Sequence, residues 1–188
     1  KLISRQASFK FINSIIRRTI ICNKTDSACI KSFVLKKHSF TPKNPHISAV
    51  CFNYILFPLD LQQKINGLSL TEVIKLEGKV KNIRDAYMQS SFSLISSYEE
   101  SFSLTLLEAQ ACGLPVIAFD CPYGPSELIT QGVDGFLIPD GDIQAFADKV
   151  CELIENKELR NEMGHNAFRH SKLFSEEEVM SRWVKLLD

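Results

Sequence analysis

The sequence predicts an α/β protein whose Rossmann-like parallel sheet carries helices on both faces. Three observations predict it. Between residues 61 and 188, short apolar runs of strand character alternate with segments of helical periodicity. Glycines and prolines fall at the joints of that alternation, at Gly78, Gly113, Pro115, Gly124 and Gly135. A chain of 188 residues, 45% apolar and 23% charged, is long enough for one globular domain, or one domain and part of another.

The elements follow in order. Val73 to Leu76 reads as a strand ending at Gly78, and Ile83 to Met88 as a short helix after it. Phe92 to Ile95 is the next strand. Residues from Ser103 to Ala111 read as helix, stopped by Gly113 and by Pro115, which cannot continue it. Val116 to Phe119 is a third strand, Pro122 to Pro125 a loop, Ser126 the start of a short helix, and Gly135 to Ile138 a fourth strand. Asp142 caps a helix in which Ile143, Phe146, Val150 and Leu153 make one apolar stripe. The last helix opens with a capping box, Ser175 with Glu178, and a staple, Phe174 with Val179. Val179, Trp183 and Leu186 are its expected buried face, and Glu176 to Glu178 complement its dipole.

The charge is divided. Residues 1–60 hold ten Lys and Arg against two acids, a net of +8, whereas residues 61–188 hold twelve against twenty, a net of −8. Two units are therefore expected, 1–60 and 61–188. The overall net charge of zero disfavours a purely electrostatic partner such as nucleic acid. No apolar run reaches the roughly 20 residues of a membrane span, and Arg5, Lys10, Arg17 and Arg18 interrupt any secretory signal. Six cysteines without a C-x-x-C pair suggest reduced thiols in the cytoplasm. His38, His46, His165 and His170 show no metal-ligand spacing, so no metal is expected. There is no Gly-x-Gly-x-x-Gly, P-loop or Gly-x-Ser-x-Gly elbow.

In parallel α/β sheets ligands sit beyond the carboxyl ends of the strands, here the loops 78–82, 96–103 and 120–126. The middle loop carries Glu100-Ser101-Phe102-Ser103-Leu104-Thr105-Leu106-Leu107-Glu108. At a helical rise the two carboxylates stand roughly 12 Å apart. The helix start between them offers the amides of Phe102, Ser103 and Leu104 to a diphosphate. Carboxylates accept paired hydroxyls well, so one acid suits a sugar and the other a ribose. Two glutamates on a solvated helix face have the same spacing.

The stretch from Ser97 to Ala118, followed in order by Phe119 to Ile129 and Gly132 to Ile138, resembles the donor-site signature of family 4 glycosyltransferases. The resemblance spans residues 61–188. It implies the C-terminal, nucleotide-sugar-binding domain of a GT-B enzyme, and retaining transfer of a hexose from a UDP- or GDP-sugar to an acceptor hydroxyl of a glycan or lipid-linked acceptor. No cofactor or metal is implied. Glu100 would meet the donor sugar as the catalytic group, Phe102, Ser103 and Leu104 the phosphates, Glu108 the ribose, and Gly78 and Val80 the base. Ser126 and Glu127 fall in a loop near the donor pocket. Relatives assemble cell-surface polysaccharide, which implies a cytoplasmic protein, peripheral at the inner face of the membrane.

The sequence departs from the family in two ways. Serines stand at 101 and 103, where the family has glycine. The glycine-rich strand and the Arg and Lys that neutralise the leaving diphosphate are not found, so the domain reads as truncated. Its alternative reading is a non-catalytic nucleotide-sugar-binding or interaction module. Within residues 1–60, Phe9, Ile12, Ile16 and Ile20 form a stripe beside Arg17 and Arg18, then Thr19 to Cys22 reads as strand, with a helix capped at Thr25 or Asp26. That segment reads as a remnant of the acceptor domain or as a basic membrane-surface helix.

Overall fold

The structure, a computed structural model, describes residues 30–36, 48–54, 58–67, 69, 71, 74–78 and 80–187. Strands β1 (Ile30–Lys36), β2 (Ser48–Tyr54), β3 (Ile74–Gly78), β4 (Phe92–Ile95), β5 (Val116–Asp120) and β6 (Gly135–Pro139) form one sheet in the order β3-β1-β2-β4-β5-β6. The strands β2, β4, β5 and β6 pair in parallel, the arrangement the alternation of strand and helix predicts.

β1 differs. It runs antiparallel to both of its neighbours, with Ile30 opposite Tyr54 and Lys36 opposite Ser48. The reason is length: the connection from Lys36 to Ser48 is shorter than the dozen or more residues of a parallel crossover. β1 and β2 arise in the basic segment yet hydrogen-bond into the same sheet as the later strands. They occupy the two positions between β3 and β4, so β3 and β4 are not neighbours. The stripe of Phe9, Ile12, Ile16 and Ile20, the strand at residues 19–22, the caps at Thr25 and Asp26 and the helix start expected after them lie outside the described residues.

Side chains along the strands alternate between two cores. Phe92, Leu94, Ile117, Phe119, Phe136 and Ile138 face one core; Ile95, Val116 and Ala118 face the other. The first core is closed by Ile65 of α1 (Pro58–Gly67) and by Phe146, Ala147, Val150 and Leu153 of α5 (Ile143–Glu155). The second is closed by Tyr87 of α2 (Ile83–Met88), Leu106 and Ala109 of α3 (Leu104–Ala111), and Leu128 of α4 (Pro125–Leu128). Each large side chain so buried contributes about 1.5–3 kcal/mol. Asp142 accepts the Ala145 N–H at 3.0 Å, the predicted cap.

α6 (Lys157–Ser171) does not stand out in the sequence, because its buried face consists of Arg160, Met163, Gly164, Ala167 and Ser171 rather than a stripe of large apolar residues. Arg160 donates to the carbonyl oxygens of Leu153 and Ile154, which satisfies the guanidinium at the negative end of α5. Gly164 lets α6 lie directly on the end of α3: a Cβ there would overlap the Gly113 carbonyl oxygen.

A 3-10 turn (Lys172–Phe174) leads to α7 (Glu176–Leu187). Ser175 Oγ accepts the Glu178 N–H at 3.3 Å, one arm of the expected capping box. The expected buried face is not buried: Trp183 is 55% and Leu186 74% exposed, and Val179 is half-buried. An amphipathic pattern records that a helix has an apolar side, but burial needs an opposing surface, and no described element supplies one.

Gly164→Ala is expected to lower unfolding stability by about 1–3 kcal/mol through the forced separation of α3 and α6. Gly67→Ala, at a position with nothing within 4 Å, is the control. Urea unfolding of both variants measures the difference.

Candidate functional site

The site grows from the loop between β4 and α3. β4 is buried on both faces. The loop beyond it ends at Ser103, whose backbone is left-handed, φ 63° and ψ 61°. A serine before a helix ordinarily has extended backbone and caps a first-turn amide with its hydroxyl. Here it makes no such bond, and its carbonyl oxygen accepts the N–H groups of Leu106 and Leu107 at 3.0 and 3.2 Å. The amides opening α3 keep their free hydrogens and the positive end of the helix dipole. Ser103 is 3% and Ser96 1% exposed, and neither hydroxyl has a hydrogen-bond partner among the described residues. Buried hydroxyls without a protein partner are costly, and this pair, at the two ends of one loop, is suited to a polar ligand.

Two carboxylates flank this start. Glu100 is half-buried in the loop, and Glu108 is exposed on α3. The helical-rise separation of these residues does not hold, because α3 begins only at Leu104 and the segment before it is a loop. Glu108 is held by Tyr87, which the sequence did not single out: its hydroxyl lies 3.1 Å from both the Glu108 carboxylate and the Thr105 carbonyl oxygen. Burial, and then the charge and hydrogen bond of Glu108, hold the Tyr87 phenol well above its usual range, so it remains a donor.

Glu100 belongs to a second contact. At Gly124, φ 86°, a Cβ would come within 3.1 Å of the Phe102 carbonyl carbon and 3.3 Å of the Glu100 Cβ. Only glycine allows the loop after β5 to press on the loop after β4 in this way. Buried Cys121 lies in the same place: burial pushes its thiol up to about 11, with the Glu100, Asp140 and Asp120 carboxylates acting in the same direction. Phe102 and Leu104 are exposed, 38% and 64%. Ser126 and Glu127 are exposed in α4.

The remaining expected residues stand apart. Gly78 ends β3 at the edge of the sheet, with β1 and β2 between it and β4, and Val80 follows half-buried. A cavity of about 1150 Å³ lies along α2, α3 and α6 and includes Arg84, Tyr87, Glu108, Cys112 and Lys157. Of the expected site residues only Glu108 lines it. The structure thus joins Glu100 and Phe102 to Gly124, and Glu108 to Tyr87. Glu108 faces a groove that Glu100 does not reach.

His170 is paired with a buried acid. Its Nδ1 lies 2.7 Å from the carboxylate of Asp134, which is 2% exposed and accepts the Thr130 N–H at 2.8 Å. The residues are 36 apart in sequence, so no local spacing signals the pair. Among the described residues no cluster of His, Cys, Asp and Glu is set to hold a metal, and no helix is long and apolar enough to cross a membrane.

Ser103→Gly is expected to raise stability by about 1 kcal/mol, since it relieves a left-handed serine without breaking a hydrogen bond; urea unfolding checks it. Cys121 is expected to stay a protonated thiol at pH 7.5 and to alkylate far more slowly than a free thiol, with its rate rising only toward pH 11. Mass spectrometry of iodoacetamide-treated native protein reads that rate.

Comparison with known proteins places these features in a family. The profile of the group 1 glycosyl transferases matches residues 59–170. An exopolysaccharide phosphotransferase of Streptomyces coelicolor is 32% identical over 127 residues, 67% of this chain and 14% of that protein. The GtfA subunit of a Streptococcus pneumoniae UDP-N-acetylglucosamine–peptide N-acetylglucosaminyltransferase is 33% identical over 135 residues, 68% of this chain and 26% of that subunit. Among solved structures, HepE of Anabaena in complex with UDP superposes with a TM-score of 0.64 at 28% identity, covering 68% of this chain and 35% of HepE. The chain therefore spans about a quarter or less of the length of these two curated relatives. It belongs to the group 1 glycosyl transferases, and its sheet and helices form a Rossmann-like α/β unit of the GT-B type.

Proposed function

We propose that residues 61–188 are the donor-binding unit of a family 4, retaining hexosyltransferase that uses a UDP- or GDP-sugar. The observation that carries the proposal is the uncapped start of α3, with the buried unpaired hydroxyl of Ser103 in the stretch that runs from Glu100 to Glu108. The diphosphate accepts hydrogen bonds from the amides of Phe102, Ser103 and Leu104 and from Ser103 Oγ. Glu108, oriented by Tyr87, accepts the ribose hydroxyls, and Glu100 accepts those of the sugar. The base lies toward Gly78 and Val80. Three strand spacings separate β3 from β4, roughly 14 Å, a span that a nucleotide bridges and a lone sugar does not.

In the transfer, the bond from the anomeric carbon to the diphosphate breaks, the bond to the acceptor oxygen forms on the same face, and the acceptor proton passes to the departing phosphate. The helix start stabilises the charge that develops on that phosphate, so the proposal calls for no metal or other cofactor. The acceptor is a glycan or lipid-linked hydroxyl in surface polysaccharide assembly. UDP as donor nucleotide draws support from the UDP bound by HepE and the UDP-N-acetylglucosamine named for the GtfA enzyme. Residues 1–60, whose β1 and β2 pair within the same sheet, are read as the remnant of an acceptor domain, and their net charge of +8 suits the anionic inner face of a cytoplasmic membrane.

A second reading has its own observation. The positions beside β4 are filled by the antiparallel pair β1 and β2, and the sequence supplies no glycine-rich turn with Arg and Lys there. Such a chain binds a nucleotide sugar without turning it over.

Calorimetric titration with UDP, GDP and their hexose conjugates tests the proposal. Glu108→Gln is expected to weaken binding of every nucleotide by about tenfold, the loss of one charged hydrogen bond. Glu100→Ala is expected to weaken the conjugates more than the bare nucleotides. Unchanged affinity in Glu108→Gln removes the ribose role, and equal losses in Glu100→Ala remove the sugar role.

A further inference from the structure

We propose that Phe174 is a positioning residue for the loop that opens α3: its ring holds Phe102 and so couples the placement of α7 to the backbone at Ser103. The coupling to donor phosphates rests on the function proposed above; the coupling between the two segments does not.

Phe102 is held from two sides. Its backbone meets the loop at Gly124, where even a methyl group would come within 3.1 Å of the Phe102 carbonyl carbon. Its ring meets that of Phe174 edge-on, with centroids 5.8 Å apart and an interplanar angle of 62°. The ring is otherwise exposed enough to turn, at 38% for the residue. Ser103, the next residue, is in the sterically narrow left-handed region. A rotation at Phe102 therefore passes directly into the orientation of the amides that start α3.

Phe174 is anchored in turn. Its ring lies 5.8 Å from that of His170, whose Nδ1 is 2.7 Å from Asp134. Asp134 is fixed by its burial and by the Thr130 N–H, in the turn that leads into β6. A packed path thus runs from the sheet through Asp134, His170 and Phe174 to Phe102. On the other side of Phe174, Ser175 starts α7 by accepting the N–H of Val179 on its carbonyl oxygen and that of Glu178 on Oγ. α7 has no buried residue of its own, so the contacts at its first turn set where it points. Displacing α7 moves Phe174, and Phe174 moves Phe102.

The test uses the full chain. Amide hydrogen exchange is followed at Leu106 and Leu107, whose N–H groups donate to the Ser103 carbonyl oxygen, and over β5 as an internal reference, in wild type, Phe174→Ala and Phe174→Tyr. Phe174→Ala is expected to speed exchange at Leu106 and Leu107 by about fivefold, the scale of one aromatic contact, with β5 unchanged and with Phe174→Tyr restoring the wild-type rate. Unchanged exchange at Leu106 and Leu107 in Phe174→Ala overturns the proposal, and so does an equal rise in β5, which marks general destabilisation. Phe174→Leu, which keeps apolar volume without a ring, replaces Phe174→Ala if the latter fails to fold. Trp183, the single tryptophan of the chain, lies on α7 and reports the reverse direction. Phe102→Ala is expected to shift its emission in the wild-type background and to leave it unchanged in Phe174→Ala; the same shift in both backgrounds overturns the coupling. Failure of UDP to bind in calorimetry counts against the donor reading alone, because neither exchange nor the Phe102→Ala emission requires nucleotide.

Discussion

The left-handed turn at Ser103 is the constraint on which the site depends. β4 enters it from a fully buried position, and α3 leaves it with Leu106 and Ala109 already committed to the core. Both ends are fixed, so the few residues between them must reverse direction sharply, and Ser103 absorbs the reversal at a cost of about 1–2 kcal/mol. Such strain persists where the surroundings over-determine it. The surroundings here are the Gly124 loop against Phe102, Tyr87 against the first turns of α3, and α6 against its far end at Gly164. In return, the helix start is left uncapped at the surface.

The charges around that start are mostly acidic. The segment from 61 to 188 is acidic, and near the site Glu100, Asp120 and Asp140 add to the burial that keeps the Cys121 thiol protonated. In the proposed binding mode the diphosphate meets the backbone amides of the helix start, and the hydroxyl-rich parts of the donor meet the Glu100 and Glu108 carboxylates. Tyr87 contributes to that mode: its single hydroxyl hydrogen lies within reach of two acceptors, the Glu108 carboxylate and the Thr105 carbonyl oxygen, and restrains how the carboxylate turns.

Much of the framework was legible because it is encoded locally. The strands at Phe92, Val116 and Gly135 are short apolar runs bounded by turn residues, and the helix after Asp142 shows both its cap and its stripe. The Glu100 to Glu108 stretch was legible as a resemblance. The residues that complete the site were not. Tyr87 and Glu108 are 21 residues apart, Gly124 and Phe102 belong to different loops, and His170 finds Asp134 across 36 residues. α6 was hidden because close helix contact calls for small residues, and a face of Gly164, Ala167 and Ser171 does not read as a hydrophobic stripe.

The sequence by itself determined the periodicities, caps and breaks that make the parallel strands and their helices, along with the acid–helix-start–acid order of the site. Each depends on residues a few positions apart, whose geometry follows from the backbone alone. Only the tertiary structure decided that β1 enters the sheet antiparallel, that Ser103 leaves its helix uncapped, and that Trp183 and Leu186 of α7 stay exposed. Those outcomes depend on which surfaces meet, and pairing between distant segments is settled by the packing of the whole chain rather than by any one stretch of it.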